Sequence, residues 1–174
     1  MDDDVAIASE PKFKEARHKA AALLRDAKIS IPPVSLNAVY QLAQKEFGVV
    51  IVEANESVVG VERDAMLVNK DGQLVILYNK SRPRVRQRFS VAHELGHLYF
   101  GHVLGNSSLH HGYKNYDEQE ADCFAAFLLM PPNLLRNDIK NKIKDVDELA
   151  KRYGVSKDAL WIQITNTGLL NKLI

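Results

Sequence analysis

Three features of the sequence predict an α+β fold. Apolar residues recur at helical spacing before residue 48, short β-branched runs joined by an Asp-Gly turn follow, and helical spacing resumes from residue 81 to the end. In residues 11–28, Phe13, Ala16, Ala20, Leu23 and Leu24 mark a first helix, which Ile31-Pro32-Pro33 stops. Ser35 caps a second, with Leu36, Val39, Tyr40, Leu42 and Phe47 on its period and Gly48 at its end. Residues 49–52, 65–68 and 74–78 read as strands of a small antiparallel sheet, the last two joined through Lys70-Asp71-Gly72. A long helix is predicted to about Phe100, with Ser81 as its cap and Pro83 near its first position. Residues 103–116 show no period and read as a loop. A helix restarts near Asp117 and is halted by Pro131-Pro132, and two or three short helices complete the chain.

Composition excludes several classes of function. With 174 residues, 46% hydrophobic and 26% charged, the chain is long enough for a real core, and no apolar run reaches the ~18 residues of a membrane span. The acidic start Met1-Asp2-Asp3-Asp4 is unlike a secretory signal, and the single Cys123 precludes an intrachain disulfide, so a cytoplasmic location is expected. The 23 basic and 22 acidic side chains balance to +1, which argues against a nucleic-acid or anionic-membrane binder at the scale of the whole chain. The expected organisation is a main body over residues 1–140 with a helical tail, residues 141–174, packed on it.

The chemistry concentrates in the long helix. His93-Glu94-Leu95-Gly96-His97 is an H-E-x-x-H motif, and four positions at ~100° each bring His97 back to within ~40° of His93. Two imidazoles one turn apart form a two-toothed zinc clamp. Glu94 projects beside them as a candidate general base.

A catalytic zinc needs a third protein ligand, and Asp117-Glu118-Gln119-Glu120-Ala121-Asp122 supplies the candidates. Asp117 and Glu120 have capping-box spacing, which gives Glu120 a structural task and favours Glu118 as the ligand, with Glu120 as the alternative. Asp122, one turn after Glu118, would share its face and could accept an imidazole N–H, orienting the ring.

The block Arg86-Gln87-Arg88-Phe89-Ser90-Val91-Ala92-His93-Glu94-Leu95-Gly96-His97, with Glu118-Gln119-Glu120-Ala121-Asp122-Cys123-Phe124-Ala125-Ala126-Phe127-Leu128-Leu129-Met130-Pro131, resembles the ImmA/IrrE family of zinc metallo-endopeptidases. The resemblance covers most of the chain from Ile31 onward. It implies a gluzincin-like peptidase that cuts helix-turn-helix repressors to release stress, prophage or mobile-element genes. One Zn2+ per chain would sit on His93, His97 and Glu118, with Glu94 taking the proton of the attacking water and passing it to the leaving amine.

Other residues are less decisive. His110, His111, Tyr113 and Tyr116 are candidate donors to the developing oxyanion. His102, nine positions after His93, would face ~180° away on an unbroken helix and is rejected as a ligand. The strand at residues 74–78 could pair an extended substrate, as the gluzincin resemblance suggests, or simply be buried. Lys80, Arg82, Arg84, Arg86 and Arg88 form a basic run at a helix start, where internal ion pairs are the expected compensation. Cys123 reads as a buried small hydrophobe. The stretch from Leu149 to Leu160 has the helix, glycine turn and capped helix of a helix-turn-helix. Residues 146–174 carry four basic and three acidic side chains, a footprint that favours packing or substrate recognition over DNA binding. Two readings compete with the peptidase: a regulatory module that keeps zinc for structure, and a direct DNA-binding regulator.

Overall fold

The computed structural model describes residues 10–102 and 115–174. Helix α1 (Phe13–Asp26) turns Ala16, Ala20, Leu23 and Leu24 of the predicted stripe inward and leaves Phe13 exposed. Helix α2 (Leu36–Phe47) starts where the Ser35 hydroxyl accepts the Ala38 N–H at 3.5 Å. It stops at Gly48, whose φ of +66° returns its N–H to the Gln44 carbonyl.

Strand β1 (Val50–Ala54), the short helix α3 (Glu56–Val59), β2 (Ala65–Lys70) and β3 (Gln73–Asn79) follow. The β2–β3 turn has positive φ at both Asp71 (53°) and Gly72 (86°), the geometry that Asp-Gly favours between twisted strands. The sheet departs from expectation. Its order is β1-β3-β2, with β2 antiparallel to β3 but β1 parallel to it, so the sheet is mixed rather than antiparallel. Leu74-Val75-Ile76-Leu77-Tyr78 is the most continuously apolar of the three runs, and it takes the central place where both edges are paired. Strand β3 therefore has no free edge for an extended substrate, and that expectation is corrected.

Helix α4 (Arg84–Phe100) carries the H-E-x-x-H motif. Ser81 is not its cap: its N–H donates to Asn79 Oδ1 at 3.0 Å, and Pro83 occupies the position before the helix. The basic run is largely spent inside the fold. Asp64 receives Arg82 at 2.8 Å and Arg86 at 3.0 Å. Arg88 donates to the carbonyls of Gly154 (3.2 Å) and Val34 (3.1 Å), tying α4 to both flanking segments.

Helix α5 (Asn115–Leu129) lies across α4 and α1. The α4–α5 approach is very close at Gly96, where a Cβ would come within 2.9 Å of Ala121 Cα. Only a residue without a side chain fits there.

Pro131 and Pro132 end α5 and begin α6 (Pro132–Lys140), which α7 (Val146–Tyr153), α8 (Lys157–Asn166) and α9 (Leu170–Leu173) follow. Gly154, with φ of +64°, turns α7 into α8, and Ser156 accepts the Ala159 N–H at 3.2 Å, as the predicted helix-turn-helix outline requires. Leu149, Tyr153, Leu160 and Ile164 join the same apolar cluster as Leu95, Phe124 and Leu128. The polar contacts of two buried side chains, Asp138 and Gln163, fix these helices. Asp138 accepts from Arg152 Nε and from the Tyr153 hydroxyl, both at 2.8 Å, and Gln163 donates to the Met130 carbonyl at 3.0 Å. Among the described residues no helix is long and apolar enough to cross a membrane.

Candidate metal centre

One helical turn separates His93 from His97, and their Nε2 atoms face each other at 3.0 Å. Helix α5 delivers Glu118 to the same point, with Oε2 at 3.2 Å from His93 Nε2 and Oε1 at 3.6 Å from His97 Nε2. Ligand atoms of the three residues lie within 4.8 Å of one another. Asp122, one turn further along α5, stands behind His93 with Oδ1 at 2.7 Å from Nδ1. A carboxylate there accepts the hydrogen bond from Nδ1–H, so that Nε2 is the ring nitrogen turned toward Glu118.

Electrostatics favour a cation at this point. Burial, the largest single influence on His93, would lower its pKa, but the hydrogen bonds to Asp122 and Glu118, with the charges of Glu94 and Asp122, overcome it and raise the pKa to about 10. The same two carboxylates would draw a metal ion, which has to displace the proton from Nε2 on binding. Two imidazole nitrogens and one carboxylate oxygen are the donor set of a catalytic zinc site, so the residues fit the ion that the motif implies.

Glu94, the residue after His93 on α4, is 2% exposed. Its Oε2 accepts the Leu67 N–H from β2 at 3.0 Å. Burial raises its pKa to about 7, opposed by His93 and reinforced by Glu118. A carboxyl tuned to neutrality is suited to taking and returning a proton at physiological pH. It borders a cleft of about 240 Å3 together with Arg63, Ala65, Phe89, Ser90 and His93.

The other predicted site residues fall elsewhere. Glu120 does not reach the His93–His97 pair, nor does it form a capping box. Helix α5 begins at Asn115, which puts Asp117 inside the first turn. Glu120 Oε1 instead accepts the Lys12 N–H at 2.7 Å, and Oε2 faces His102 Nε2 at 3.0 Å. His102 follows Gly101, whose φ of +71° ends α4, and folds back so that its Nδ1 meets His97 Nδ1 at 3.0 Å. It approaches the side of His97 away from Glu118. Sequence reasoning missed its contact with His97, because the left-handed turn at Gly101 cancels the helical angle on which that reasoning relied. Cys123 is half-buried rather than buried, and burial raises its pKa, which keeps it a thiol. Tyr116 lies in the first turn of α5; the oxyanion candidates His110, His111 and Tyr113, like most of the predicted loop, lie outside the described residues.

Among solved structures the fold is similar to that of a Mycobacterium tuberculosis transcriptional regulator, with a TM-score of 0.63 at 14% identity. The match covers 84% of this chain and 45% of the regulator, so this chain spans less than half the regulator's length. No curated protein matches the sequence. The Peptidase_M78 family model, described as the IrrE N-terminal-like domain, matches residues 44–165. That span holds β1 to α7 and all but the last residue of α8, including every residue of the His93–His97–Glu118 group and Glu94, and the chain belongs to the IrrE N-terminal-like family of peptidase domains.

Proposed function

We propose that this protein is a zinc-dependent endopeptidase whose substrate is a helix-turn-helix transcriptional repressor. The observation that carries the peptidase reading is the convergence of His93 Nε2, His97 Nε2 and Glu118 beside a buried Glu94 held near neutrality. Zinc bound there would polarise a peptide carbonyl and make water a nucleophile at neutral pH. Glu94 accepts the proton from the attacking water and returns it to the leaving amine. Asp122 keeps the His93 ring turned toward the site.

The outer edge of β2 supports a place for the substrate. Leu67 directs its N–H away from β3 and toward Glu94, so Ala65 and Asn69, two residues to either side, also present their backbone groups outward. An extended segment paired at Ala65, which lines the cleft, would lie along it, while Leu67 keeps its N–H on Glu94. The tail, residues 141–174, packs on this body and presents Ile162, 61% exposed, as part of a recognition surface. The repressor as substrate rests on the family resemblance, and it requires the enzyme to act where transcription occurs, in the cytoplasm.

The test is to incubate zinc-loaded protein with purified helix-turn-helix repressors and to identify fragments by mass spectrometry. Wild type is expected to cut at a defined bond, and Glu94→Gln to keep its zinc while losing on the order of 10³-fold in rate. The similarity to a transcriptional regulator favours a second reading, a zinc-containing module that regulates without catalysis. Retained regulation by Glu94→Gln would support that reading instead.

A further inference from the structure

His97 is fully buried, and its Nδ1 lies 3.0 Å from His102 Nδ1. Two imidazole nitrogens at that separation share one proton. If His97 gives Nε2 to a metal, its neutral ring carries the proton on Nδ1 and donates it to His102 Nδ1. His102 then carries its own proton on Nε2, where Glu120 Oε2 stands at 3.0 Å and Asp117 Oδ1 at 3.5 Å. Glu120, 5% exposed, is held from its other oxygen by the Lys12 N–H at 2.7 Å. Every donor along this line meets an acceptor.

We propose that His102 and Glu120 are positioning residues for zinc: they lock His97 in the tautomer that carries its proton on Nδ1 and not on Nε2, and set its ring, through the relay His97–His102–Glu120. The inference rests on the metal centre proposed above. It extends to the buried ligand the service that Asp122 performs for His93.

The same cluster could be read as a second cation site, because ligand atoms of His102, Asp117 and Glu120 also lie within 4.8 Å of one another. Proton placement separates the two readings. A cation on His102 Nε2 would move that ring's proton to Nδ1, against His97 Nδ1, and so force the His97 proton onto Nε2, the atom the first metal needs. Glu120 also has one oxygen committed to the Lys12 N–H. The relay satisfies both neutral rings, whereas two occupied sites do not.

The test measures zinc affinity of the full chain by competition with a chromophoric chelator at fixed pH, together with the Co2+ absorption spectrum. Wild type should bind one zinc, and His102→Leu one zinc about 10- to 100-fold more weakly with an altered Co2+ spectrum. His102→Asn, whose amide oxygen can stand where Nδ1 does, should recover to within a few-fold of wild type. His102→Gln, whose amide reaches the Nε2 position instead, should not. Glu120→Ala should weaken binding several-fold and Asp117→Asn less than twofold. Equal affinity of His102→Asn and His102→Gln would overturn the relay, even if His102→Leu fails to fold. So would two zinc ions per wild-type chain with one lost in Asp117→Asn. The predicted ranking in a protein that cuts no substrate would uphold the relay and remove the peptidase reading alone.

Discussion

Glu94 holds its proton to about pH 7 because its carboxyl is buried. The consequence for stability has a definite sign. Between the ordinary value of 4.5 and about 7, the folded metal-free chain keeps a proton that the unfolded chain has lost, so this group's contribution to stability declines as pH rises through that window. In chelator-treated protein, thermal midpoints should fall more steeply across that range for wild type than for Glu94→Gln. Equal slopes would contradict the assignment. Much of this scale was legible in the sequence: H-E-x-x-H spacing aligned His93 with His97, and the four-residue interval aligned Glu118 with Asp122. The work of Glu120 was not. Its partners, Lys12 and His102, lie 108 and 18 positions away, and nothing in a local pattern records such contacts.

Between elements, the metal centre depends on how closely α4 and α5 approach. Taken alone, Gly96→Ala should strengthen the helix by about 0.5–1 kcal/mol. The added Cβ, however, would meet Ala121 Cα at 2.9 Å, and backbone cannot swing aside as a flexible side chain can. Separating the helices carries Glu118 and Asp122 away from the two histidines. Gly96→Ala is therefore expected to weaken zinc binding at least tenfold, as chelator competition would show; unchanged affinity would mean that the approach is not what sets the site. A second inter-element contact is testable by denaturant unfolding. Asp138→Ala strips the acceptor from Arg152 and the Tyr153 hydroxyl and should cost about 1–3 kcal/mol. Helix periodicity, caps and the Asp-Gly turn were readable because each is a local preference. The parallel pairing of β1 was not, since a continuous apolar run fits either a central or a buried outer strand, and only the assembled sheet decides.

At the scale of the molecule, one apolar cluster takes side chains from α1, α4, α5 and the tail helices, so the metal centre rests on the whole core rather than on a loop. Zinc bound to the folded chain alone should raise its thermal midpoint in proportion to the logarithm of free zinc, and chelation should reverse the gain. The tail has a helix-turn-helix outline, which its glycine turn and serine cap made legible, but α8 opens with Lys157 beside Asp158 and Lys157 pairs with Asp147 at 2.9 Å. That charge pattern predicts no salt-sensitive binding of duplex DNA by the full chain, a result that titration at low and high salt would check.

The most direct test of the metal centre is zinc content per chain for wild type, Glu118→Ala and Glu120→Ala after saturation with zinc and removal of excess. One zinc in wild type and in Glu120→Ala, with none in Glu118→Ala, is the predicted result. Zinc retained by Glu118→Ala, or a wild type that stays empty, would contradict it.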